Sequence, residues 1–145
     1  MTMMYEHVGG EQPLRNLAAH FHEAVLADEL LGKLFLYGMS HHVDHLTAFL
    51  VEIMGGPSRY SDELGGFEAI FKAHQRLKIS DAQRARFVEL MMASADAVGL
   101  PADARFRKAF ERQVARAAGL SARVSHGELD HLAAAPYPEL GRWEW

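Results

Sequence analysis

The chain is 145 residues long, which fits one domain, and its composition (49% apolar, 23% charged) is that of a folded globular protein. A net charge of −4 argues against a nucleic-acid-binding protein, which usually carries a basic face. The chain has no cysteine, so disulfides, zinc–thiolate sites, iron–sulfur clusters and cysteine nucleophiles are excluded. The absence of cysteine fits a reducing compartment, so we expect a cytoplasmic protein. We find neither a signal-peptide pattern nor an apolar run approaching the roughly 20 residues of a membrane helix.

The first predicted helix runs from about residue 11 to residue 26. Pro13 suits its first turn, where the missing N–H of proline costs no hydrogen bond. Its apolar stripe consists of Leu14, Leu17, Phe21 and Val25. His22 lies at the edge of this stripe. A short apolar segment follows over residues 29–36, and the Tyr-Gly-Met sequence at 37–39 predicts a break.

The next predicted helix begins after Ser40, the expected N-cap, and ends before the Gly-Gly-Pro sequence at residues 55–57. Helical spacing divides the three histidines of this helix between two faces. His42 shares one face with Leu46, Phe49, Leu50 and Ile53. The other face carries His41, His45 and Glu52. Of the three histidines, only His42 is therefore predicted to face a core.

The second half of the chain is also predicted to be helical. We predict a loop over residues 58–66. Three helices follow, over residues 67–77, 80–98 and 103–124. His74 lies on the apolar face of the first of these three helices. Ser80 and Gln83 have the spacing of a capping box. No alternating run of β-branched residues indicates a strand, so we predict an all-α fold of about five or six helices.

Two regions are predicted along the chain. Residues 1–124 would form the helical domain and residues 125–145 a C-terminal extension of irregular structure. Exposed tryptophans are unusual, so we expect Trp143 and Trp145 to pack back onto the domain or onto a second subunit of a homodimer.

Three imidazoles, those of His22, His42 and His74, are predicted to face the interior from three different helices. A single histidine on an apolar stripe is more often a core residue bonded to a backbone carbonyl than a ligand. Burying several imidazoles without partners costs on the order of 1–3 kcal/mol each. Three of them in one small core therefore favour a cofactor that binds them.

The residues predicted to surround these histidines are aromatic or long aliphatic: Phe21, Phe35, Phe49, Phe71, Phe87, Leu46, Leu50 and Leu77. A flat apolar cofactor held by one axial imidazole would use this surface. Haem fits that description, because neutral imidazole is a good iron ligand. Ordinary core packing explains the same stripe equally well, so periodicity alone leaves both interpretations open.

Five stretches of the chain carry a family resemblance through their order and spacing. They are VGG at 8–10, LAD at 26–28 with Leu30, Leu31 and Phe35, GGPSRYS at 55–61, AHQRLKI at 73–79 and RARFVEL at 84–90. Together they resemble the truncated haemoglobins, short globins with a two-over-two helical sandwich, and most of all their second group. The resemblance spans about residues 5–124 and implies haem b as the cofactor.

The resemblance implies roles for individual residues. His74 falls at the position of the proximal iron ligand, and His42 at the distal position above the iron. His45 lies near where the family contacts a haem propionate. The implied cofactor-binding set is Phe35, His45, Leu46, Phe49, Leu50, Tyr60, Phe71, Leu77, Ile79 and Phe87.

Two positions depart from the second group. His22 stands where that group has its distal tyrosine, and Phe87 where it has a tryptophan. Phe87 has no hydrogen-bond donor. The distal ligand-binding role therefore passes to His22 and His42.

The resemblance implies a haem protein that reversibly binds oxygen, CO or NO, as in oxygen transport. Haem-based chemistry of NO, nitrite or peroxide, with an unidentified reductase as partner, is one alternative. Another is a bis-histidine protein, suited to electron transfer or sensing, in which His42 or His22 also ligates the iron. A third alternative is a helical protein without haem, in which His41, His42 and His45 bind a divalent metal or nothing; His41 and His45 have the four-residue spacing of helical zinc sites. We expect neither nucleic acid nor a membrane as a partner.

Overall fold

The computed structural model describes residues 2–35 and 41–145, and over those residues every regular element is helical. The α-helices are α1 (Met4–His7), α2 (Glu11–Ala27), α3 (His42–Ile53), α4 (Arg59–Glu63), α5 (Gly66–His74), α6 (Asp81–Ala97) and α7 (Ala104–Ser125), and there are 3₁₀ turns at Gly32–Phe35 and Asp130–Leu132. The all-α prediction is confirmed. The predicted break at 37–39, the Ser40 cap and the end of the 29–36 segment lie outside the described residues. Within the described ranges, no helix has both the length and the apolar character needed to span a membrane.

Two pairs of helices enclose the main core. α2 packs against α3, α6 packs against α7, and contacts between α2 and α6 join the two pairs. The largest fully buried side chains are Phe21 of α2 and Phe106 and Phe110 of α7. Since an aromatic side chain buries roughly 150–250 Å², these three supply much of the apolar contact between the pairs.

Side-chain caps fix where α6 and α7 begin. The Ser80 hydroxyl accepts a hydrogen bond from Gln83 N at 3.1 Å, and Gln83 Oε1 accepts one from Ser80 N at 2.9 Å, which confirms the predicted capping box. Asp103 caps α7 by accepting a hydrogen bond from Phe106 N at 3.1 Å. Such caps contribute about 1 kcal/mol each.

The loop prediction for residues 58–66 is wrong, because residues 59–63 form α4. A helix this short is not stable alone, so its stability comes from contacts with α3. Glu52 of α3 is only 7% exposed, and its carboxyl accepts hydrogen bonds from Ser61 N at 2.8 Å and from the Ser61 hydroxyl. The Arg59 guanidinium donates to both carboxylate oxygens of Asp44, at 2.8 and 3.2 Å. Two side chains of α3 thus hold α4 in place.

The chain turns sharply after α5. This helix ends at His74 instead of the predicted Leu77, since Arg76 and Lys78 both have positive φ angles, of 66° and 54°. A residue with a side chain pays roughly 1–2 kcal/mol to adopt this left-handed conformation. The turn therefore needs support from elsewhere in the fold.

The end of α7 provides that support. Ile79 N donates to Ser125 Oγ at 3.0 Å, and Lys78 N donates to Ser125 O at 3.4 Å. A nitrogen of the His126 ring, Nε2, donates to the Ile79 carbonyl at 2.7 Å. These bonds anchor the α5–α6 connection to the last turn of α7.

The C-terminal tail packs back onto the domain, as predicted. Trp143 N donates to the Ile53 carbonyl at 2.6 Å, and the Trp143 ring meets Phe110 edge-on with ring centroids 6.1 Å apart. Trp145 Nε1 donates to the Thr2 carbonyl at 3.0 Å. The tail thus links the end of α3 to α7 and to the N-terminus. The homodimer stays a prediction.

The contacts of Glu52 give the first testable prediction. We expect Glu52→Ala to lower the free energy of unfolding by about 1–3 kcal/mol, because Ser61 N–H and its hydroxyl lose their acceptor. Urea denaturation followed by circular dichroism measures this change. The matched control is Glu23→Ala, which removes an exposed glutamate of α2 and should change stability by less than about 0.5 kcal/mol. Equal effects of the two substitutions would show that Glu52 does not stabilise α4.

Candidate functional site

A cavity of about 390 Å³ opens between α3, α5, α6 and α7. Its apolar wall consists of Phe21, Leu31, Leu34, Phe35, Leu46, Phe49, Ile70, Ala73, Leu77, Ile79, Phe87, Ala117 and Ala118. Its polar wall residues are His41, His42, His45, Tyr60, His74, Gln83, Arg84 and Ser121. The size and the mainly apolar lining are those of a small-molecule site.

His74 enters the cavity from the last turn of α5. Its ring nitrogen Nδ1 lies 2.7 Å from the Ile70 carbonyl oxygen, one turn earlier on the same helix. Because a carbonyl oxygen only accepts hydrogen bonds, Nδ1 must carry the proton. Burial lowers the pKa of His74, so the ring is neutral and its Nε2 is an unprotonated base.

His42, at the start of α3, lies in the cavity wall, whereas His22 of α2 lies behind it, outside the wall. The two Nδ1 atoms are 2.8 Å apart, so one donates a hydrogen bond to the other. Burial, helped by repulsion from His22, lowers the pKa of His42 to about 4. His42 is therefore neutral at pH 7, and its other nitrogen, Nε2, either carries the single N–H proton of the ring or is a free base.

The direction of this hydrogen bond decides what His42 offers to the cavity. If His22 donates, His42 keeps its proton on Nε2 and can donate to a guest molecule. If His42 donates, its Nε2 has a free lone pair and can bind a metal ion. His22 thus acts on the cavity through the tautomer of His42.

Most of the predicted cofactor-binding residues lie in the wall: Phe35, His45, Leu46, Phe49, Tyr60, Leu77, Ile79 and Phe87. Leu50 and Phe71 do not. Leu50 is eight residues after His42, a rotation of about 80° on a helix, and is buried in the main core at 2% exposure. Phe71 is turned about 60° from His74 and lines a neighbouring cavity.

The structure also brings residues to the wall that the sequence analysis did not assign. Ala117, Ala118 and Ser121 of α7 form a face of small side chains against the cavity. Because Ala118 and Ser121 are three residues apart and Ala117 and Ser121 four, their spacing in the sequence could have predicted that they share one face of α7. Gln83 and Arg84 at the start of α6 also line the cavity. The sequence indicates only a capping role for Gln83, and no spacing predicts a wall position for Arg84.

The haem-free metal reading rests on His41 and His45. Their rings stack, with centroids 5.9 Å apart. Over residues 2–35 and 41–145, no group of three or more His, Asp or Glu side chains is arranged to hold a metal ion. These two imidazoles therefore have no third ligand in the part of the chain that the structure describes.

Comparisons with known proteins identify the family. A family model described as bacterial-like globin matches residues 3–117, about four-fifths of the chain. A group 1 truncated hemoglobin from Nostoc sp. (strain MUN 8820) is 31% identical over 61 residues, which is 41% of this chain and 52% of that protein. The match thus spans about half the length of this curated relative.

Solved structures share the fold over most of the chain. The thermostable hemoglobin of Thermobifida fusca is 30% identical with a TM-score of 0.72, covering 83% of this chain and 97% of that chain. The group II truncated hemoglobin of Bacillus anthracis is 22% identical with a TM-score of 0.73, covering 82% and 89%. The predicted two-over-two truncated globin fold is confirmed. The chain belongs to the bacterial-like globin family, which implies a haem cofactor.

Proposed function

We propose that His74 ligates the iron of haem b in this cavity and that the protein reversibly binds oxygen or another diatomic ligand there. One observation carries the proposal. The 2.7 Å bond from His74 Nδ1 to Ile70 leaves Nε2 as a neutral base at an apolar cavity, which is the state that iron ligation requires.

The lining of the cavity fits a haem. Phe35, Phe49 and Phe87 offer flat apolar surface, and the Phe87 ring is held by an edge-on contact with Phe21 at 4.9 Å between centroids. No acidic side chain lines the cavity among the residues that the structure describes. Arg84 and His45 are exposed polar members of the wall, where they would meet the propionates of a haem.

Each nearby side chain then has a distinct task. When bound, haem iron supplies the coordination position at which O₂, CO or NO binds. His74 would hold the iron through Nε2, and the Ile70 carbonyl would increase the basicity of that nitrogen by accepting a hydrogen bond from Nδ1. His42, protonated on Nε2 and oriented by His22, donates a hydrogen bond to the ligand, worth about 1–3 kcal/mol.

The hydrogen bond between His22 and His42 also favours a second function. If His42 donates from Nδ1 to His22, its Nε2 is a free base in the cavity and would hold the iron together with His74. The protein would then suit electron transfer or sensing, because an external ligand must first displace His42. The two functions thus differ in the tautomers of His22 and His42.

The role of His74 is tested by removing its ring. We expect His74→Gly to lose haem during purification, since the other wall residues of α5 and its following turn, Ile70, Ala73, Leu77 and Ile79, are apolar. Added imidazole should restore haem binding by filling the space left. The Soret band and the haem-to-protein ratio measure this. His131→Gly, which removes an exposed tail histidine outside the cavity, should retain haem. A His74→Gly protein with full haem content and no imidazole would contradict the assignment.

The distal donor is tested by the oxygen dissociation rate. We expect His42→Leu to raise this rate roughly 5- to 150-fold, the equivalent of a lost hydrogen bond of 1–3 kcal/mol. His22→Phe should raise it less, because His42 stays in the wall but loses the partner that fixes its tautomer. Stopped-flow mixing gives both rates. The distal proposal is wrong if neither substitution changes the rate.

The ferrous absorption spectrum without added ligand separates the two functions. We expect one broad visible band, because a donating His42 leaves the iron five-coordinate. Sharp, split visible bands would instead indicate that His42 occupies the sixth position. In that case His42→Leu should convert the split bands to a broad one, whereas His131→Leu should leave them unchanged.

A further inference from the structure

A second cavity, of about 340 Å³, lies between the C-terminal tail and helices α3, α5 and α7. Its volume is in the range of small-molecule sites. Tail residues between 129 and 143 form part of its wall, whereas the described wall residues of the first cavity all lie between 21 and 121. A partition that includes Phe49, Ile70 and His74 borders both cavities. The second cavity is therefore a separate space, on the tail side of this partition.

The inner wall of the second cavity is apolar and buried. Ile53 of α3, Phe71 of α5 and Val124 of α7 line it and are 3%, 2% and 7% exposed. Phe67 of α5 also lines it and packs against Phe71, with ring centroids 6.0 Å apart. Such a wall gains free energy by contact with a hydrocarbon, because the contact removes apolar surface from water. The inner part of the cavity therefore fits an aliphatic chain.

The solvent side of the second cavity carries charged side chains. Arg116 of α7 and Arg142 and Glu139 of the tail also line this cavity, and all three are exposed. Over residues 2–35 and 41–145, no carboxylate forms an ion pair with Arg116 or Arg142, that of Glu139 included. The solvent side thus has two guanidinium groups against one carboxylate and is positively charged.

The course of the tail brings these two arginines to the same part of the cavity. The Trp145 ring packs edge-on against Phe106, near the start of α7, with ring centroids 6.1 Å apart. The carbonyl of residue 144 accepts a hydrogen bond from Gln113 Nε2 at 3.0 Å, two turns further along α7. The tail therefore runs antiparallel to α7, and Arg142 lies towards the turn of α7 that follows Gln113 and contains Arg116.

We propose that the second cavity binds a medium-chain fatty acid, whose hydrocarbon chain contacts the buried apolar wall and whose carboxylate pairs with the guanidinium groups of Arg116 and Arg142. The planar guanidinium group presents parallel N–H donors that match the two oxygens of a carboxylate. Because both arginines are exposed, the carboxylate stays at the solvent side and need not lose its hydration completely. An alkylammonium ion would instead be repelled by the two arginines.

The test uses the full-length protein as purified and octanoate as the probe. Isothermal titration measures affinity in solution, and crystals soaked with 8-bromooctanoate locate bromine by anomalous scattering. We expect bromine beside Phe71 in the second cavity and the carboxylate within hydrogen-bond distance of Arg116 or Arg142. Octanoate should bind about fourfold more tightly than heptanoate, because each further buried methylene adds roughly that factor.

Substitution of the arginines separates the contribution of the charge from that of the chain. We expect Arg116→Gln and Arg142→Gln each to weaken octanoate binding about two- to fivefold, the effect of losing one exposed ion pair. Binding of octan-1-ol, which has no charge, should stay unchanged. Arg123→Gln is the matched control, because it removes an exposed arginine of α7 that does not line the cavity, and it should change neither affinity.

Several results would overturn the proposal. Bromine found only in the first cavity, or in the crystal without measurable binding of octanoate in solution, would show that the second cavity is not a fatty-acid site. Equal weakening of octanoate and octan-1-ol by the arginine substitutions would show that the guanidinium groups do not recognise the carboxylate. Tighter binding of octylamine than of octanoate would make Glu139 the charged group that selects the ligand. The position of the carboxylate in the wild-type crystal decides the question even if an arginine variant does not fold.

Discussion

The hydrogen bond from His74 Nδ1 to the Ile70 carbonyl fixes both the orientation and the protonation state of the imidazole at the first cavity. Because donor and acceptor lie one turn apart on α5, the helix itself sets this bond. The position of α5 depends in turn on the connection that follows it, in which Ile79 is bonded to Ser125 and His126 of α7. The chemistry of one nitrogen thus depends on the packing of two helices, because a shift of α7 would move the end of α5.

The opposite wall has a comparable dependence. His42 and His22 belong to different helices and share one hydrogen bond, so the packing of α2 against α3 sets the polarity of the cavity. Burial lowers the pKa of both His42 and His74, so neither imidazole is charged at pH 7, because a charge there would lose hydration without gaining an acidic partner. Neutral imidazoles can donate or accept, so this one wall is compatible both with the proposed oxygen binding and with the proposed bis-histidine ligation.

The sequence predicted the features that depend on local geometry. Helical spacing places His42 and His74 at the cavity, and the capping box at Ser80 fixes the start of α6. Features that depend on distant partners were missed. Glu52 was expected on the outer face of α3, but it is buried because Ser61, nine residues later, folds back as its donor. Arg84 was not assigned because its place in the wall depends on how α6 meets α7, which no spacing within α6 records.

The tail shows how a segment beyond the matched globin region affects its centre. The family match ends at residue 117, yet later residues form one side of a second cavity, which lies between α3, α5, α7 and the tail. Trp143 ties these later residues to the end of α3. Since Phe49, Ile70 and His74 line both cavities, the two spaces are separated by a single layer of side chains. The His74 ring therefore stands in a layer that borders both cavities, and its bond to the Ile70 carbonyl holds it there.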